Sequence, residues 1–421
     1  MVRINPFAAW RPAPSKEKQV ASVPYDVCNR EEARGLAEGN PISFLHVVRP
    51  DIDLPDDTGA YDDVVYQTAK DSFEKLKNEG TLIQEDKPAI YLYRQETELL
   101  GKRVSQTGVV ASAHIQDYNT DIIKKHEKTR QVKEDDRTRH VLTLKANAGP
   151  VFLMHKEHAG LRDLIVKGTS EQALYDFEAV DGVRHTVWKI DNPENYASAF
   201  AELDFAYVAD GHHRSASAAR AGKELEDANP NHTGEEEYNW FLAVFFQEDD
   251  LTILPYHRVV KDLNGLSADD VLAKIGAIAT IAPAVDTEPR NRYSYCMYLP
   301  GATTLKSANG WYSIQLPEGS IDANDPIESL DYQLLTERVL SPILGIGDVR
   351  SDERIDFVGG IRGTEHLKKL VDGGKAAVAF SMRPVEAAQI TAIADAGAIM
   401  PPKSTWFEPK LRSGLLVHTL D

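Results

Sequence analysis

With 421 residues, 42% of them hydrophobic and 27% charged, the chain has material for two or three domains, and its composition excludes wholesale disorder, a collagenous repeat and a membrane bundle. Acidic residues outnumber basic ones by 65 to 47, a formal net charge of −18 that repels duplex DNA, RNA and anionic lipid. The two cysteines, Cys28 and Cys296, sit in no metal-binding or disulfide-framework spacing, the N-terminus has no secretory pattern, and the longest apolar run, 240–246, has seven residues. A soluble cytoplasmic protein is the expectation.

In chain order, the spacing predicts a helix over 30–38, with Asn29 as cap, Glu32 at its third position and Gly39 at its stop. An exposed Asp/Pro loop follows over 50–59. A second helix over 62–78 carries Val65, Ala69, Phe73 and Leu76 on one stripe. Strands are expected at 90–93 and 109–111, joined as a hairpin across the polar residues 94–105. A charged segment over 117–140 leads to an apolar strand at 151–154. Then come a strand at 205–208, a turn at 210–214 and a small-residue helix over 215–221 closed by Gly222. Strands at 240–246 and 251–260 complete this alternation. The texture changes near 263, where Ser267 and Asp270 form a capping box for a helix to 275. Residues 283–292 read as a polar loop, 376–380 as a strand and 384–396 as a helix. The expected division is 1–262 and 263–421, with 400–414 as a lid.

The sharpest chemical signal is Asp210-Gly211-His212-His213-Arg214-Ser215. A glycine turn entering a helix offers unpaired N–H groups, and the Arg214 fork suits phosphate oxygens. The plainer alternative makes Asp210 a helix cap and the histidines surface residues; the placement between an apolar strand and a helix favours the ligand site. From Lys124 to His140, seven Lys/Arg stand against four Asp/Glu, a positive island in an acidic chain that favours a small anion over a polyanion. A solvated helix with ion pairs explains the same composition. Within the island Glu127 is the candidate base toward a hydroxyl, or a holder of Mg²⁺ bridging phosphates.

A third candidate is the run 400–414, stiffened by prolines, in which Lys403, Lys410 and Arg412 are placed to close over a phosphate; a tail packed by Trp406 and Phe407 is the alternative. Weaker candidates are residues 23–27, His257-Arg258 and 350–354. The chain has no G-x-x-x-x-G-K-[ST], no G-x-G-x-x-G after a strand, no H-E-x-x-H and no G-x-S-x-G, which leaves P-loop, dinucleotide, zincin and serine-hydrolase readings without support.

Nearly end to end, the chain resembles the bacterial and archaeal family known as domain of unknown function 1015. The resemblance is carried by Val23-Pro24-Tyr25-Asp26-Val27, Asn40-Pro41 with Phe44-Leu45-His46, Lys125-His126-Glu127 with Thr129, the turn from Ala209 to Arg214, and 400–414. The turn also resembles the phosphate-contacting element of the ParB/sulfiredoxin-like superfamily, which includes free-serine kinases. That resemblance implies an α/β fold with a mixed sheet: a ParB/sulfiredoxin-like core, an N-terminal extension and a C-terminal α/β domain. It implies a phosphotransferase acting on a small hydroxyl metabolite such as serine or phosphoserine, with Mg²⁺ and ATP, ADP or pyrophosphate as donor. Asp210, His212, His213 and Glu127 would be catalytic; Gly211, Arg214, Ser215, Lys125, His126, Thr129, Lys403 and Arg412 would bind phosphate or substrate. His212 stands where sulfiredoxin carries its reactive cysteine, which argues against sulfinic-acid reduction, and the chain lacks the basic helix-turn-helix of partition proteins. A hydrolase acting on phosphoserine and a non-catalytic sensor of a nucleotide or phosphorylated metabolite are the alternatives. The implied partner is a small phosphorylated molecule, with neither nucleic acid nor membrane involved.

Overall fold

The apolar runs on either side of residue 100, and those at 151–155 and 240–247, are too short for core helices and rich in β-branched and aromatic residues. In the computed structural model, which describes residues 1–421, they join one nine-stranded mixed sheet. Its strands are β1 (Ile4–Asn5), β2 (Ile90–Leu99), β3 (Lys102–His114), β4 (Ile123–Lys124), β5 (Val151–His155), β6 (Tyr175–Glu178), β7 (Arg184–Ile190), β8 (Ala206–Asp210) and β9 (Trp240–Gln247). Their order is β4-β8-β5-β9-β3-β2-β7-β6, with β1 beside β3. The architecture is α/β with a mixed sheet, as the sequence implies.

Period-two alternation gives the sheet two different faces. Ile90, Leu92, Val109, Ala111, Leu153, Val208 and Phe245 point to a core closed by helices α3 (Ile115–Asn119), α5 (Ala159–Gly168), α6 (Glu194–Phe200) and α7 (His212–Ala228). On the other face Phe7 meets Tyr91 at 5.8 Å, while Gln95 and Gln106 donate to the carbonyls of Lys410 and Pro409 at 2.8 and 3.2 Å. A further core joins α1 (Arg30–Ala37) and α2 (Asp63–Asn78) to Leu144, the last residue of α4 (Gln131–Leu144), and to Val417.

Contacts divide the chain into two compact units, Met1–Leu251 with Pro409–Asp421, and Thr252–Glu408. The second begins ahead of the change in texture near 263. It holds an antiparallel six-stranded sheet whose central strands Ser294–Tyr298, Val378–Ser381 and Tyr256–Val260 carry its core residues Cys296, Tyr298, Ala379 and Val259. No helix is long and apolar enough to cross a membrane.

Three elements differ from their sequence expectation. The polar stretch 94–105 is no loop: β2 and β3 run on through it to a tight turn at Leu100 and Gly101, both at positive φ, because ladder pairing satisfies the backbone whatever the side chains are. The expected strand 251–260 is two, Thr252–Leu254 and Tyr256–Val260, broken at Pro255, which has no N–H to give a ladder. The helix after the Gly211 turn begins at His212 and runs through Gly222 to Ala228. Gly222 serves closeness, not termination: a Cβ there would lie 2.4 Å from the Tyr238 carbonyl oxygen and 2.8 Å from Ile115 Cδ1.

Replacing an interior helical glycine by alanine ordinarily stabilises by about 1 kcal/mol. Here Gly222→Ala is expected to destabilise the protein by about 1–3 kcal/mol through overpacking. A urea midpoint that rises in this variant would contradict the packing described for α7.

Candidate functional site

The site begins with a strand pairing. β4 and β8 run parallel, with Ala206 opposite Ile123 and Tyr207 opposite Lys124, so the residues that follow each strand leave the sheet at the same edge. One exit is Lys125-His126-Glu127; the other is Gly211-His212-His213. Gly211 takes φ 94°, a left-handed conformation that glycine adopts freely, and so turns β8 directly into α7. The imidazoles of His126 and His212 meet edge to face with centroids 4.5 Å apart, and Glu127 Oε2 lies 3.9 Å from His212 Nδ1. The Glu127 side chain is 46% exposed, whereas that of His212 is 6% exposed.

Charge is concentrated behind the turn. Asp210 accepts from the Gly211 amide at 2.8 Å and from Lys410 Nζ at 2.9 Å, and Arg214 Nη2 lies 3.7 Å from it. Burial acts to raise the Asp210 pKa, but attraction to Lys410 and Arg214 outweighs it and holds the carboxyl below the usual carboxylate range. Arg214 folds back so far that a Cβ on Gly211 would sit 3.0 Å from its Nε. Its Nη1 donates to the Pro150 carbonyl, and its buried Nε has no protein acceptor. The guanidinium expected to reach a solvent phosphate thus points into the protein.

The histidines are kept neutral. Burial lowers His126 to about 4, and burial together with the neighbouring His126 lowers His212 well below its ordinary value. Burial and then Arg130 lower His213, whose Nε2 accepts from the Arg130 amide at 3.1 Å. Neither ring nitrogen of His126, nor His212 Nε2, has a hydrogen-bond partner in the protein. At neutral pH these rings offer N–H donors and lone pairs rather than positive charge.

Of the other residues singled out in the sequence, Ser215 is fully buried and its hydroxyl donates to the carbonyls of Gly211 and His212 at 3.2 and 3.1 Å, stiffening the turn. Lys125 is held by the Tyr118 carbonyl at 3.1 Å and by Asp121 at 2.7 Å, and Thr129 donates to Glu134 at 2.9 Å. Arg412 is not brought to the turn: it binds Asp181, and its Nε lies 3.2 Å from His185 Nε2. Lys403 belongs to the second unit, with Nζ 5.3 Å from the Tyr256 ring centroid. Lys410, two residues before Arg412, is the cation that reaches Asp210. Tyr25 and Arg137 were not singled out for this role. Arg137 stacks 4.3 Å from the Tyr25 ring and lines a cavity with Arg214, and Tyr25 comes from the 23–27 stretch that carried the family resemblance.

No group of three or more His, Cys, Asp or Glu residues is assembled for a metal ion. With the Asp210 carboxylate engaged by Lys410, Glu127 is the carboxylate at the mouth of the turn. One carboxylate with phosphate oxygens and water is a donor set that suits Mg²⁺, which keeps much of its hydration.

The family described as Protein of unknown function (DUF1015) matches residues 4–333. The chain belongs to that family. Among solved structures, a free serine kinase in complex with AMP is 12% identical, covering 73% of this chain and 92% of that one with a TM-score of 0.35. SbnI with a C-terminal truncation, from Staphylococcus aureus, is 12% identical over 73% of this chain and 87% of its own, with a TM-score of 0.39. A conserved hypothetical protein from Pyrococcus furiosus is 12% identical over 73% and 95%, with a TM-score of 0.35. At these identities and scores none of them decides an activity for this chain. No curated protein matches it.

The neutral histidines set a pH dependence of stability. His126, His140, His155 and His257 are each lowered by burial to about 4, whereas the unfolded chain binds these protons near pH 6.5. Their contribution is fully present above pH 6.5 and lost as the pH falls toward 4, at about 1.4 kcal/mol per unit of displacement for each group. Urea midpoints are expected to fall steadily from pH 6.5 to 4.5, with a shallower fall in His126→Gln. A flat profile in the unsubstituted protein would refute neutral burial.

Proposed function

We propose that the Gly211 turn is the anion site of a phosphotransferase acting on a small hydroxyl metabolite, of the serine or phosphoserine type. The observation that carries this reading is the half-exposed Glu127 carboxylate, 3.9 Å from the His212 ring, at the start of the 17-residue helix α7. A base at the mouth and a positive helix end behind it are the two parts that phosphoryl transfer needs from a protein, since most of the rate comes from positioning and electrostatics.

In this reading the first-turn amides of α7, at His212 and His213, hold the phosphoryl oxygens, and the helix dipole favours their charge. Arg214 and Lys410, both mostly buried, supply positive potential through Asp210 and the turn. Glu127 takes the proton of the substrate hydroxyl as its oxygen forms a bond to phosphorus and the bond from phosphorus to the donor's bridging oxygen breaks. His212 and His213, neutral, serve as hydrogen-bonding groups that orient the reacting oxygens. In its alternative role Glu127 would hold Mg²⁺, which when bound would neutralise charge on the donor. The donor is ATP, ADP or pyrophosphate; the preference for serine follows from the resemblance of the turn to that of free-serine kinases.

Incubation with serine or phosphoserine, each with ATP, ADP or pyrophosphate and Mg²⁺, and followed by ³¹P NMR, is expected to show phosphoryl transfer in one combination. Glu127→Gln is expected to lower kcat by about 10²–10⁴-fold, the usual contribution of a positioned base. His213→Ala is expected to lower kcat/KM. If both variants keep full activity, the role assignment fails. A blank across the panel overturns the serine proposal, and a ligand-dependent rise in melting temperature without turnover assigns the same turn to a sensor.

A further inference from the structure

Behind the turn, within the first unit, lies a cavity of about 40 Å³ lined by Tyr25, Arg137, Asn147, Gly149, Arg214 and Ser413, with Val48, Val151 and Phe241 completing its wall. Two guanidiniums facing one cavity is a costly arrangement. The side chains of Arg137 and Arg214 are 12% and 10% exposed, and burial of like charges is unfavourable unless counter-charge is present. Asp136 engages Nε of Arg137 at 2.9 Å and also accepts from the Tyr66 hydroxyl at 2.9 Å. Asp210 is shared between Arg214 and Lys410. Arg137 and Arg214 are the charged residues of the wall, and Asp136, Asp210 and Lys410 lie outside it. Asp26, although exposed, attracts Arg214 more strongly than Asp210 does. The buried Nε of Arg214 has no protein acceptor.

We propose that this cavity binds the carboxylate of the hydroxyl substrate, so that the protein selects small hydroxy acids or hydroxy amino acids over alcohols and amines without an acid group. A carboxylate supplies the acceptor that Arg214 Nε lacks, and planar guanidiniums match a carboxylate bidentately. The volume corresponds to about three water-sized positions, which suits a carboxylate and the carbon that bears it. The apolar part of the wall, Val48, Val151 and Phe241, takes that carbon. Arg214 lines the cavity and also lies against Gly211, so an acid group held here is joined through one side chain to the turn. The inference rests on the phosphotransferase reading for the ligand's hydroxyl group and on the cavity alone for its acid group.

The test is binding to the full chain by calorimetry, with L-serine, glycolate, ethanolamine and inorganic phosphate as probes. L-serine and glycolate are expected to bind, and ethanolamine, which keeps the hydroxyl but lacks the carboxylate, is not. Arg137→Lys is expected to weaken L-serine at least tenfold while leaving phosphate within twofold. Should Arg137→Lys fail to fold, Gly149→Ala adds one methyl group with Ser413 Oγ 3.1 Å away and is expected to weaken L-serine in the same sense. Ethanolamine binding as well as L-serine overturns the proposal, as does L-serine affinity unchanged in both variants. Loss of phosphate binding in Arg137→Lys to the same extent as L-serine makes the cavity a phosphate subsite and overturns it too. Turnover is not read here, so an absence of phosphoryl transfer counts against the preceding proposal and leaves this one standing on the binding result.

Discussion

A carboxylate drawn largely out of water must find positive charge, and the compensation of Asp210 ties together three separate parts of the first unit. The residue ends β8, and its own chain supplies the Gly211 amide at 2.8 Å. Its two cations come from opposite directions in sequence: Arg214 from the first turn of the helix that follows, and Lys410 from the segment that returns after the second unit. Gly211 answers two demands at once. Its left-handed φ makes the turn, and its missing Cβ leaves room for Arg214, whose Nε would otherwise be met at 3.0 Å. Strand, helix and returning segment are thereby joined at one charged point.

That point explains how a chain of net charge −18 keeps a positive interior. Acidic residues on a wet surface are screened within roughly 10 Å, while charges in the low-dielectric interior act strongly over short distances. The basic island of the sequence contributes less than its composition suggests. Lys125 and Arg139 are engaged with Asp121 and Asp63, Arg220 of α7 takes the island's Asp135, and of the island's cations it is Arg137 that turns inward to the cavity.

What was legible in the sequence was local. The capping boxes at Asn29 with Glu32 and at Ser267 with Asp270 are formed as expected, since each needs only residues three apart. The strand, turn and helix around Gly211 could be read because an apolar run, a glycine and small residues follow one another directly. The extent of α7 could not, because Gly222 reads as a stop until the Tyr238 carbonyl that it accommodates is brought beside it. The same limit governs the charged groups. Lys410, Arg412 and Lys403 lie within ten residues and look equivalent in sequence, yet one pairs with Asp210, one with Asp181 and one lies over Tyr256 in the second unit. Their partners are far away along the chain, and spacing within it carries no record of them.

The return of Pro409–Asp421 to the first unit also bears on how the protein is made. Synthesis proceeds from the N-terminus, and domains generally fold as units during it. Here the first unit waits for residues that emerge only after the whole of Thr252–Glu408, so until then Asp210 and the cavity behind it stand without Lys410 and Ser413. The charge balance of the site is completed only once Pro409–Asp421 have been made, and a ribosome-bound chain of the first 251 residues has Asp210 and Arg214 without Lys410.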